Sequence, residues 1–92
     1  MAVFAIIPTD AATKSTLDQR INSLIPKEDV LKLPLGQWFI AYKGTSKDLS
    51  NALGITKGED TSGIVIAVAS YWGRATNDIW EWLEAKLKWL IA

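Results

Sequence analysis

The side chains able to do chemistry in this 92-residue chain are few, because it contains no cysteine and no histidine. Without histidine, the commonest general base and the commonest metal ligand are both missing. Without cysteine there is no disulfide, no thiolate metal site and no thiol nucleophile. The acids pair only as sequence neighbours, Glu28–Asp29 and Glu59–Asp60, in turn-like segments. A glycosidase-type pair needs a cleft between its carboxyl groups, which loops of so short a chain seldom supply. No EF-hand spacing occurs, and no serine, threonine, lysine or tyrosine sits in a recognisable nucleophile–base pattern. The expectation is a protein without catalysis, metal or cofactor.

Two stretches carry cations beside glycine, KGTS at 43–46 and YWGR at 71–74. Lys43, Thr45, Ser46 and Arg74 would gather at one edge if the strands preceding them run parallel. The first turn of a helix with cations nearby attracts anions. The same residues also serve turns and a helix cap, and that is the favoured account. Ten basic residues balance ten acidic ones, so the excess that neutralises phosphate is missing and nucleic acid is not the expected partner.

The stretch TSKDLSNALGIT, residues 45–56, resembles the first helix and turn of a helix-turn-helix module. Such a module needs a recognition helix next. KGEDTSG follows instead, so the stretch is read as a capped helix with a glycine stop. Trp38, Phe39 and Tyr42 raise the question of base stacking on a sheet, but the RNA-binding strand signature is absent.

The remaining concentration of functional residue types is aromatic. Trp72, Trp80, Trp82 and Trp89, four of five tryptophans, lie near the C-terminal end. At 100° per residue, Ile79, Trp80, Leu83, Leu87, Leu90 and Ile91 fall on one arc of a helix over 79–91. Trp82 and Trp89 fall on a second flank, beyond Lys86. They either widen the core or meet a partner; Trp72 and Arg74 form a second candidate contact edge.

Punctuation by proline and glycine supplies the elements that position these residues. Ala2–Ile7 reads as a strand closed by Pro8. Thr9 or Asp10 caps a helix with Leu17, Ile21, Leu24 and Ile25 inside. Val30–Leu33 and Gln37–Lys43 read as a hairpin. Thr45 caps a second helix, with Asp48 in capping-box position and Gly54 at its end. Gly63–Tyr71 is the clearest strand, and the tryptophan-rich helix follows.

The order β-α-β-β-α-β-α predicts a single α+β domain over 1–92. It is ferredoxin-like, a βαββαβ antiparallel four-stranded sheet with an added C-terminal α-helix. Both parities of the first and last strands are apolar, which places these two at the centre and asks for cover on both sheet faces. The last helix or a second copy would provide it. The functional expectation is a small cytoplasmic protein-binding or self-associating module, with a protein partner or homo-oligomer and no membrane. Its rivals are a nucleic-acid or anion-binding domain and a minimal enzyme.

Overall fold

A continuous apolar run ending in proline gives the first strand, β1, over Ala2–Pro8. The computed structural model describes residues 1–58 and 60–91, with the side chains of the last helix described as far as Leu87. After β1, the Asp10 carboxylate accepts a hydrogen bond from the Ala12 N–H and opens a short 3-10 turn, Ala11–Thr13. Helix α1 follows over Lys14–Leu24. Leu17, Ile21 and Ile25 are buried as expected, whereas Leu24 faces solvent.

The hairpin forms from β2 (Val30–Lys32) and β3 (Trp38–Tyr42). Helix α2, Ser46–Ala52, is fixed at both ends by local chemistry. Thr45 Oγ1 accepts from the Asp48 N–H at 3.1 Å while Asp48 Oδ2 accepts from the Thr45 N–H at 2.9 Å. At the other end the Ile55 N–H donates to Ser50 C=O and the Gly54 N–H to Asn51 C=O. That pattern needs a left-handed residue, and Gly54 sits at φ +76°. A side chain there would also collide with Arg20.

Strand β4 covers Gly63–Ala67, shorter than the 63–71 run that reads as strand in the sequence. The result is an α+β fold, a four-stranded antiparallel sheet in the order β2-β3-β1-β4 with three helices. β1 and β3 therefore occupy the centre, and β4 lies at an edge, which corrects the central position expected for it. Apolarity on both parities is not proof of two neighbours. In β4 it serves the core through Val65 on one side, while Ile64 and Ile66 on the other are exposed.

The two sheet faces are covered differently. On the first face α1 and α2 pack Leu17, Ile21, Leu49 and Leu53 against Phe4, Ile6, Trp38 and Ile40. The indole N–H of Trp38 donates to Asp18 Oδ1 at 3.3 Å, so its one polar atom is satisfied.

On the second face lies α3, Asn77–Ile91, with a break in helical geometry at Leu87 (φ −117°, ψ 16°). Its Leu83 and Leu87 are buried against Val3 and Ala41, with Phe39, Val68, Tyr71, Ile79, Trp80 and Trp82 around them. A helix of this length is marginal alone in water, so this packing is what holds it. The side chains of Leu90 and Ile91, expected on the same arc, lie outside the described residues. The requirement for a roof over the second face is thus met, but only over the end of the sheet where β1 begins.

Candidate interaction surface

The tryptophans separate into distinct environments. Trp82 is half-buried: its ring stacks on Phe39, with centroids 6.4 Å apart and planes 18° from parallel. Its indole N–H donates to the Glu28 carbonyl at 3.2 Å. Lys86 Nζ lies 6.0 Å from the Trp82 ring centroid and 2.9 Å from Asp29 Oδ1. Both members of that ion pair are largely buried. Trp82, Lys86 and Asp29 thus fasten α3 to the turn Lys27–Asp29 that leads into β2. The described contacts of Trp82 are with its own domain. The side chain of Trp89, its expected companion, lies outside the described residues.

Trp72 stands apart. It is 96% exposed, although its ring centroid lies 6.2 Å from that of Trp80. Trp80 in turn meets Tyr71 at 5.6 Å. The three rings form a ridge where the β4–α3 connection enters the last helix, with Trp72 at its outer end. Arg74, two residues on, is also exposed. At the first turn of α3, the Thr76 hydroxyl donates to Asp78 Oδ1, and the Thr76 carbonyl accepts from the Ile79 and Trp80 N–H groups. The ridge is therefore anchored by a folded helix end.

The candidate anion edge has a different character. Lys43 is exposed, as is Thr45, while Ser46 is partly covered. Thr45 is engaged by the capping box, and Asp48 sets a carboxylate on the main-chain amide an anion would use. Hydrogen bonds from the Thr45 backbone and then its side chain hold the Asp48 carboxyl below its ordinary range, with help from Lys47. A second anion would meet that charge first. Among the described residues, neither Lys43 nor Arg74 makes an ion pair.

Surface depressions lie elsewhere. One of about 480 Å³ is lined by Asn51, Gly54, Thr56 and Lys57, and one of about 320 Å³ by Pro8, Thr9, Asp10, Ala11 and Lys14. Neither lining brings two carboxylates together. Among the described residues no cluster of acids could hold a metal ion, and no helix is long and apolar enough to cross a membrane.

A further set of surface residues escapes the sequence reading. Ile7, Ile64 and Ile66 are 37%, 51% and 45% exposed on the second sheet face, beyond the reach of α3. Ile7 pairs with Ile64 across the β1–β4 ladder, and Ala5 with Ile66. Their apolar pattern reads equally well as a covered central strand, and only the edge position of β4 leaves them in water. Compared with known proteins, the chain matches no family model, no curated protein and no solved structure.

Proposed function

We propose that this chain is a cytoplasmic, non-catalytic protein-interaction module, built as a ferredoxin-like βαββαβ domain with its C-terminal helix added over the second sheet face. The element order and the neighbour order β2-β3-β1-β4 support the architectural half. The functional half rests on one observation, a tryptophan left 96% exposed at the end of an ordered aromatic ridge. Burying its ring against a partner would remove about 200 Å² from water, worth on the order of several kcal/mol. Trp72 is the anchor in this reading and Arg74 its polar neighbour. Trp82 serves mainly to seat α3.

The rival anion-binding reading draws on Lys43, Thr45, Ser46 and Arg74 and has less support, because Asp48 already occupies the cap. The two separate by experiment. The immobilised chain and its Trp72→Ala variant are offered the same mixture of soluble proteins at increasing salt. The expected result is partners retained by the wild type and lost by the variant, with the circular dichroism spectrum unchanged. Identical retention by both would overturn the role of Trp72. Binding that collapses with salt and depends on Lys43 would favour the rival.

A further inference from the structure

The buried side chains of this protein fall into two groups that share no member. The first lies between the sheet and the helices α1 and α2, and among the described residues no side chain of α3 enters it. The second sets Val3 and Ala41, with Phe39 and Val68 beside them, against side chains that all come from the single stretch 71–87. The sheet's half of this second core is light. Its fully covered members are a valine and an alanine, where the first face presents Phe4, Ile6, Trp38 and Ile40.

The stretch is joined to β4 by a connection whose residues 72–76 are all exposed. Gly73 within it sits at φ +152° with open space around it, so rotation there meets no obstacle. Among the described residues, α3 has two polar attachments to the rest of the fold, both on the turn before β2. They are the Trp82 indole N–H on Glu28 C=O and Lys86 Nζ on Asp29 Oδ1.

The second attachment is conditional in a way the first is not. The side chains of Lys86 and Asp29 are 23% and 13% exposed, against 33% and 58% for Arg20 and Asp60. Among the described residues, Lys86 is the one group that hydrogen-bonds the Asp29 carboxylate. Docking α3 therefore covers that carboxylate and supplies its cation in the same step. A docked helix without the cation would leave a covered, unpaired charge, which is costly. Lifting the helix returns the carboxylate to water.

We infer that α3 is a strap that lifts from the sheet as one unit while the first-face core stays folded, and that Lys86–Asp29 is its latch. A lifted α3 also unwinds, since a helix of this length is marginal without packing. Tyr71 and Trp80 leave with it, and with them the seat of the Trp72 ring. Where Trp72 is the contact residue, the closed form is the one that binds, a consequence that rests on that reading. The opening itself does not.

Amide hydrogen exchange followed residue by residue by NMR, from zero to low urea, tests the strap and its latch. In the wild type, the Leu83 and Ala85 amides, inside the helix, should share one opening. That opening should occur at least about tenfold more often than the one exposing the Phe4 and Ile40 amides of the central strands. Lys86→Met should raise exchange throughout α3 at least about another tenfold and leave Phe4 and Ile40 unchanged, which also reports that the variant is folded. Adding Asp29→Asn removes the stranded charge and should recover most of that loss. Exchange of α3 in step with the central strands, or faster exchange confined to its two ends, would overturn the strap. Lys86→Met acting equally on every element, or not at all, or a double variant as open as the single one, would overturn the latch. None of these readouts involves Trp72, so they stand or fall separately from its role in contact.

Discussion

The two faces of this sheet are made of similar residues and end in different states. The first face meets two helices, and Phe4, Ile6, Trp38 and Ile40 are all buried on it. The second meets one helix crossing one end, so Val3 and Ala41 are buried while Ile7, Ile64 and Ile66 remain in contact with water. Composition does not separate them, since isoleucine, valine and alanine occur on both. Helix supply does. Two short helices contributed by the crossovers cover a sheet face of this width, and a single helix fastened at Glu28 and Asp29 does not. A β-surface can thus be apolar by sequence and partly bare by geometry, and the bare part is where contact with another molecule becomes favourable.

Large-to-small substitutions test that contrast most strongly. Phe4→Ala should cost about 3–5 kcal/mol, because its site is enclosed by sheet and both crossover helices and cannot collapse. Leu83→Ala, on the single helix of the second face, should fall at the lower end of the leucine range, about 2–3 kcal/mol. Urea unfolding monitored by far-UV circular dichroism measures both. Equal losses would mean that the second face is as tightly built as the first.

Trp82→Ala sharpens the comparison by loosening the roof. It removes the stack on Phe39 and the hydrogen bond to Glu28 C=O, and should cost about 2 kcal/mol, short of the full value for a buried ring. Binding of a hydrophobic dye should rise as the covered end of the second face opens. A variant as stable as the wild type would show that the ring contributes little to holding α3 down.

The smallest effect concerns α2, whose cap positions part of the first-face cover. The Asp48 carboxyl is held below its ordinary range by the Thr45 hydrogen bonds. A depressed folded-state pKa adds stability that is present above the unfolded value, about 4, and lost as pH falls through the folded one. Asp48→Asn should therefore be slightly less stable at pH 7 and show a shallower acid dependence, measured as Tm between pH 2 and 6. An unchanged slope would remove the cap's carboxylate from the account.

Local elements were legible because their causes are local. Thr45 and Asp48 specify one end of α2, and Gly54 followed by Ile55 specifies the other, all within a dozen residues. Leu17 and Ile21 were correctly placed inside, since helical period alone separates them from the polar flank of α1. Leu24 lies on the same period but faces solvent, while Ile25 beside it turns into the core where the helix ends, and spacing has no means of registering which of the two goes in. The second candidate edge was legible in part: Trp72 stood out by type and neighbourhood, yet its exposure depends on where the ridge of Tyr71 and Trp80 comes to rest.

The sequence by itself determined which segments become strands and helices, where α2 begins and ends, and that both sheet faces would be apolar, because capping, period and alternation act over a few residues. Tertiary structure alone decided that β4 lies at an edge, that α3 roofs one end of the second face, and that Trp82 turns inward while Trp72 does not. Those outcomes come from pairing and packing between segments far apart along the chain, where several arrangements bury similar side chains and the difference lies in how the pieces fit.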